Sequence, residues 1–185
     1  MSRLTPVAGN KVNRQLQEVL EAFHLDLKQA PGFLRVLAGS SAVTEAYMAA
    51  EEALAKGQLT AGQREQIALA VAEINNSRYC LIAHTVTGRA AGLNNEDIHL
   101  ARKATANDPK AEAMLRFTQA VALQRGEISD EGFKRLQSAG FSDAEVIEII
   151  ANIALNIFAN YLSSVSRTEV DFPLLHPALT NPKPG

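Results

Sequence analysis

The chain has 185 residues, 46% of them apolar and 21% charged, with 20 acidic side chains against 18 basic ones. That length gives about one domain, and that composition excludes a disordered chain. No uninterrupted apolar run reaches the length of a membrane span. A net charge of −2 without a basic block leaves no electrostatic footprint for nucleic acid or an anionic membrane surface. The single cysteine can form no disulfide within the chain, which favours a reducing compartment. Residues 1–10 lack the apolar segment of a signal peptide. The expectation is one cytoplasmic domain over residues 1–185, with small or neutral partners.

Prolines stand only at positions 6, 31, 109, 173, 177, 182 and 184, leaving two long stretches free to be helical. No run of strictly alternating β-branched residues appears, so an all-α fold of about eight or nine helices is predicted. A first helix is expected over residues 12–28, burying Leu16, Val19, Leu20 and Phe23. Pro31 and Gly32 break it, a short turn follows over 33–38, and a longer helix runs over 42–56 to Gly57.

Thr60-Ala61-Gly62-Gln63 fits a capping box and predicts a helix with Ile67, Val71 and Ile74 on its buried side. Asn75-Asn76-Ser77 interrupts it. A helix over 78–91 then follows, with the Ser77 hydroxyl as its expected N-cap and Gly92 as its stop. Helices over 95–104, 109–125, 130–138 and 143–164 complete the set. Asn94-Asn95-Glu96-Asp97 is a helix start with no catalytic content.

The last helix carries Val146, Ile149, Ile150, Ile153, Ile157, Phe158, Tyr161 and Leu162 around more than half its circumference, with a polar stripe of Glu148, Asn152, Asn156 and Asn160. It is expected to be central or to sit at a subunit interface. The stripe could line a site or form a hydrogen-bonded seam. The proline-rich residues 171–185 predict an extended C-terminal arm. Leu59-Thr60-x-x-Gln63 also aligns with Phe141-Ser142-x-x-Glu145, as a duplicated hairpin or as two helices sharing a cap and a core spacing.

The residues with chemical content lie between Glu65 and Gly92. Cys80 and His84 are four apart, so on a helix they face the same way, a thiol beside a base. In a helix capped at Ser77, Cys80 falls in the first turn, where free amides and the macrodipole favour thiolate. Glu65 could orient His84 or exchange a proton with it. On one straight helix Glu65 and His84 would lie about 28 Å apart, so this requires the chain to fold back at 75–77. Cys80 and His84 offer two metal ligands without a third or fourth, so no metal is expected. His24, His99 and His176 carry no motif and are read as surface or packing residues.

Gln63-Arg64-Glu65, then Asn75-Asn76-Ser77-Arg78-Tyr79-Cys80-Leu81-Ile82-Ala83-His84-Thr85 and Ala91-Gly92-Leu93, resemble the core of the alkylhydroperoxidase D and carboxymuconolactone decarboxylase superfamily, nearest its peroxidase-related branch. The resemblance is strong over 58–98 and extends from about 33 to 172. It implies a helical bundle that assembles into trimers or hexamers, with the site near a subunit boundary. Peroxidase-type members carry Glu, then C-x-x-C, then His four residues after the second Cys. Matched to this chain, Glu65 takes the acid position, Cys80 the second cysteine and His84 the histidine.

Ser77 stands where the first cysteine would be, and Tyr79 where another histidine can occur. Two-cysteine members attack peroxide with one thiolate and close a disulfide with the other. Here Cys80 would need an external thiol, a partner protein or a second Cys80 to resolve its sulfenic acid. The implied function is a thiol-dependent peroxidase acting on a small hydroperoxide with Cys80, His84 and Glu65, with Ser77 and Tyr79 as supporting residues. No cofactor beyond an external thiol reductant is expected. The alternatives are a lyase or isomerase on a small carboxylated lactone using His84 and Glu65, and a non-catalytic oligomeric binding protein.

Overall fold

The computed structural model describes residues 30–171 together with 3, 4, 7, 16, 17 and 21. The helix expected over 12–28 lies outside the described residues apart from Leu16, Gln17 and Glu21, and so does the C-terminal arm beyond Asp171. Among the described residues the chain forms eight helices and no strand. They are α1 (Gly32–Leu37), α2 (Ser41–Ala55), α3 (Ala61–Ile74), α4 (Arg78–Ala90), α5 (Asn95–Arg102), α6 (Pro109–Gln124), α7 (Asp130–Ser138) and α8 (Asp143–Ser166). The all-α expectation holds, and each of these boundaries falls within a few residues of its predicted place.

Contacts gather into two compact units, one of Met1–Ala53 with Leu162–Gly185, the other Leu54–Tyr161. In the first, the ring of Phe33 meets Tyr47 edge-on at 5.4 Å between centroids. Arg35 pairs with Asp171 at 3.0 Å, and the hydroxyl of Thr44 donates to the carbonyls of Leu37 and Ser40. Leu16 and Ala30 are buried together there, with Val7, Leu34 and Ala38 against them.

The second unit is built around α3. Seven consecutive residues of that helix, Gln66 to Ala72, are buried, and α4, α5 and α6 all pack on it. Three of those seven are alanines, at 68, 70 and 72, and these let neighbouring helices approach closely. Ile67, Leu69, Met114, Leu115, Leu136, Ile149 and Ile153 are almost wholly enclosed in one cluster, each such side chain contributing roughly 1.5–3 kcal/mol by leaving water.

Caps fix where the helices start. Thr60 and Gln63 form the expected capping box, Asn94 and Asp97 a second one, and Asp108 and Ser129 accept from Ala111 and Gly132. Ser142 and Glu145 bond reciprocally, with the Ser142 N–H donating to the Glu145 carboxylate at 2.7 Å and the Glu145 N–H to the Ser142 hydroxyl at 3.2 Å. The residues before the two aligned boxes, Leu59 and Phe141, are buried in the same cluster.

Helix α8 sends Val146, Ile149 and Ile153 into that cluster, but Ile147, Ile150, Phe158 and Tyr161 remain exposed. Its polar stripe is turned inward. Asn152 and Asn156 are buried and donate to the carbonyls of Glu148 and Asn152, one turn back. Glu148 accepts from the N–H of Gln58 at 3.0 and 2.8 Å and of Leu59 at 3.1 Å, tying the start of α3 to α8.

Candidate functional site

The site depends on how α3 ends. Asn75 closes the helix, and Asn76 takes the left-handed conformation at φ 50°. The N–H of Asn76 then bonds to Glu73 O at 3.0 Å and that of Ser77 to Ala72 O at 2.9 Å. This pair of bonds is a Schellman ending with asparagine in the position glycine usually fills. Asparagine accepts left-handed backbone better than other side chains because its short amide can bond locally. The Asn75 amide also donates to Asn160 Oδ1 at 3.1 Å, fastening the turn to α8.

Ser77 occupies the N-cap position of α4 but its side chain makes no capping hydrogen bond, contrary to the sequence expectation. Its ψ is 87°, whereas the working caps Thr60, Asn94, Asp108 and Ser129 have ψ between 124° and 177°. The reason is double duty: the same residue supplies the last N–H of the α3 ending, which sets its backbone before α4 begins. Ser77 is 2% exposed and Tyr79 beside it 6%.

The fold-back brings α4 alongside α3. His84 Nδ1 lies 2.9 Å from Glu65 Oε2, and both side chains are about four-fifths covered, at 24% and 21% exposure. Thr87, one turn beyond His84, donates its hydroxyl to the same Glu65 oxygen at 2.6 Å. A carboxylate at Nδ1 holds the imidazole proton on that nitrogen and leaves Nε2 as the basic one. A Cβ at Gly88 would meet Glu65 Cβ at 3.8 Å, an ordinary contact, but would sit 3.3 Å from Leu93 Cδ1, so glycine here relieves crowding against the loop that follows α4.

Cys80 is the third residue of α4, buried at 4% exposure, and one turn before His84. Residues so spaced have Cβ atoms roughly 5–6 Å apart. The structure therefore gathers Glu65 and His84 directly and sets Cys80 on the same stretch of α4. Sequence reasoning missed Thr87; its signal was a hydroxyl three residues after His84, on the side of α4 that faces α3. His99 is exposed, as expected, while His24 and His176 lie outside the described residues.

Among the described residues no group of three or more His, Cys, Asp or Glu side chains could hold a metal ion. A cavity of about 580 Å³ between α6 and α7, lined by Arg116, Phe117, Ile128 and Arg135, includes none of Glu65, Cys80 and His84.

The same architecture occurs in solved structures. An uncharacterised peroxidase-related protein from Ralstonia eutropha JMP134, an alkylhydroperoxidase AhpD core, superposes with a TM-score of 0.81 at 23% identity, covering 94% of this chain and 94% of that one. An uncharacterised peroxidase-related protein from Silicibacter sp. TM1040 gives 0.78 at 20% identity, with 94% and 93% covered. The debrominase Bmp8, in complex with 2,3,4-tribromopyrrole, gives 0.78 at 16% identity, with 97% and 96% covered. No curated protein matches the chain in sequence. Residues 41–122, which enclose Glu65, Ser77, Cys80 and His84, match the model of the carboxymuconolactone decarboxylase family, and the fold is the one these solved structures share.

Proposed function

We propose that the protein is a thiol-dependent peroxidase. The observation that carries this reading is the 2.9 Å contact between His84 Nδ1 and Glu65 Oε2, with Cys80 one turn before His84 on the same helix. A nucleophile, a base and a group that orients the base is the arrangement an activated thiol needs. The superfamily contains enzymes, which is consistent with catalysis here.

In the first step His84 Nε2 takes the Cys80 proton and the thiolate attacks the terminal oxygen of a small hydroperoxide. The S–O bond forms as the O–O bond breaks, and the leaving alkoxide takes the proton back from His84 as alcohol. Cys80 is then a sulfenic acid. With Ser77 in place of a second cysteine, a low-molecular-weight thiol condenses with it and releases water, and a second thiol reduces the mixed disulfide. One hydroperoxide and two thiols thus give an alcohol, water and a disulfide, and no cofactor enters the cycle.

The test is intact-mass spectrometry of the reduced protein after brief exposure to an organic hydroperoxide, with and without a sulfenic-acid trap. The expected result is stoichiometric trapping at Cys80 and no peroxide consumption by Cys80→Ser. A thiol that stays reduced in hydroperoxide that oxidises a free low-molecular-weight thiol under the same conditions overturns the proposal.

One observation favours a second reading, acid–base lyase or isomerase chemistry on a small carboxylated lactone: the Glu65–His84 pair is complete without the thiol. That reading requires activity that survives Cys80→Ser and is lost in His84→Ala.

A further inference from the structure

The cavity between α6 and α7 is lined by none of Glu65, Cys80 and His84, and the proposed peroxidase chemistry makes no use of it. Its volume of about 580 Å³ falls within the roughly 300–1,000 Å³ of small-ligand pockets. Its walls divide into an apolar floor and a cationic rim, and each part selects a part of the ligand.

The floor is built on Phe117, which is 5% exposed. Ala113 and Ala120 stand four residues before it and three after, on the same side of α6. Their methyl groups leave the space on both sides of the ring open, and Ile128 closes the cavity from the α7 end. A slot of this shape takes a planar ring, which packs offset or edge-on against phenylalanine.

The rim carries Arg116 and Arg135. Arg116 donates from Nε to Glu112 Oε1 at 2.8 Å, and its two Nη groups have no hydrogen-bond partner among the described residues. Arg135 donates from one Nη to Glu131 Oε1 at 3.0 Å. The side chains of that pair are 72% and 80% exposed, and such a pair is held weakly enough to yield to a better-placed anion. The Ser129 oxygen accepts from the Gly132 N–H at 3.1 Å, which leaves its own proton to donate.

Glu112 also lines the cavity, but both of its oxygens are engaged. Oε2 accepts from the Thr105 hydroxyl and the Ala106 N–H, each at 2.6 Å, while Oε1 holds Arg116. The carboxylate therefore braces a guanidinium and asks nothing of a ligand. Two arginines against two glutamates leave no net field for a dianion such as a phosphate ester, whereas two guanidinium forks remain to orient one carboxylate.

We propose that this cavity binds a small aromatic monocarboxylate, with its ring on Phe117 between Ala113 and Ala120 and its carboxylate on Arg116 and Arg135. The site is separate from Cys80, and it stands whether or not the thiol reacts with peroxide.

The probe is 2-naphthoate, titrated by fluorescence and by calorimetry into the full chain, with 2-naphthamide as the same ring without the charge. One molecule per chain is expected to bind with a Kd of about 0.1–1 mM, the range for a ligand of this size, and the amide at least about fivefold more weakly. In the double variant Arg116→Gln with Arg135→Gln the two probes should bind alike, at the level of the amide. Ala120→Phe fills the slot and should remove both probes with unchanged helical circular dichroism; should it fail to fold, the arginine variant on the exposed rim decides alone. Cys80→Ser should bind both probes as the natural sequence does.

No saturation by about 5 mM, equal affinity for the two probes, or naphthoate binding indifferent to the loss of both arginines overturns the proposal. Loss of binding in Cys80→Ser does so as well, because it moves the probe to the thiol site. A halved or otherwise reduced mass of Ala120→Phe by light scattering also overturns it, because the cavity is then covered by another copy of the chain.

Discussion

Oxygen Oε2 of Glu65 receives two hydrogen bonds from α4, from His84 Nδ1 at 2.9 Å and from the Thr87 hydroxyl at 2.6 Å. On a straight helix the first of these pairs would lie about 28 Å apart, so the contact is made entirely by the turn at 75–77. The carboxylate is thereby fixed in position by two donors one turn apart, which in turn fixes the ring of His84.

Glu65→Gln separates charge from shape at this point. The amide can still meet Nδ1, but it carries no charge to stabilise the imidazolium that the proposed mechanism forms on His84. Sulfenic-acid formation should slow by about two orders of magnitude, the low end of what a positioned acid–base group supplies, with little change in melting temperature. Thr87→Val should slow it only a few-fold, because one of the two donors remains. Stopped-flow oxidation under a fixed hydroperoxide concentration reads both, and an unchanged rate in Glu65→Gln removes Glu65 from the mechanism.

Asn76 makes the fold-back, and its φ of 50° sets the expected response to substitution. Asn76→Gly should be neutral or slightly stabilising. Asn76→Val should cost about 1–2 kcal/mol, the penalty for forcing an ordinary side chain into left-handed backbone. Urea midpoints of the two variants give the difference, and equal midpoints would show that the turn tolerates another conformation.

Much of this was legible in the residues themselves. Thr60-x-x-Gln63, Asn94-x-x-Asp97 and Gly92 announce helix starts and stops through local hydrogen bonding, which needs no tertiary context. The fold-back was legible because Asn75-Asn76-Ser77 resists helix while Glu65 and His84 need a reversal to meet. The aligned segment makes the point from the other side: where α3 stops at Asn75-Asn76-Ser77, the corresponding residues of α8 are Ile157-Phe158-Ala159, and that helix continues unbroken to Ser166.

The centre of the core was not legible in the same way. Apolar periodicity places α8 at the centre or at a subunit interface and does not single out α3, whose residues 66–72 are all buried, because alanines admit neighbours closely while adding little to an apolar count. Ser77 was misread for a related reason. A serine before a helix is a good cap only if its backbone is free to be extended, and here the preceding helix has already set it.

Glu148 joins α8 to the residues before α3. Its carboxylate satisfies the N–H groups of Gln58 and Leu59, and leaving such donors without a partner costs about 1–3 kcal/mol where they are covered. Glu148→Ala should lower stability by that order and Glu148→Gln by less, since its amide oxygen can keep one of the bonds. Hydrogen exchange should quicken at Leu59 in Glu148→Ala before it does in α6, and unchanged exchange at that amide would show that the tie is not what holds the segment.

The acid dependence of stability follows from two carboxylates. The backbone N–H of Ser142, then its hydroxyl and Lys110, hold the Glu145 carboxyl below its ordinary value of 4.5 against some burial. Burial pushes Glu112 upward, but hydrogen bonds from Thr105, Ala106 and Arg116 outweigh it and hold that carboxyl below 4.5 as well. In both cases the folded state binds its proton less readily than the unfolded chain does, so stability rises with pH through this range. The contribution is fully present above about 4.5 and is lost as pH falls through the folded values. The double variant Glu112→Gln with Glu145→Gln should therefore unfold at lower urea than the natural sequence at pH 7, and the gap should close progressively below pH 4.5. A gap that stays constant across that range would mean that the side chains contribute through shape and neutral hydrogen bonding, and that their charge is not what caps α8 and braces the start of α6.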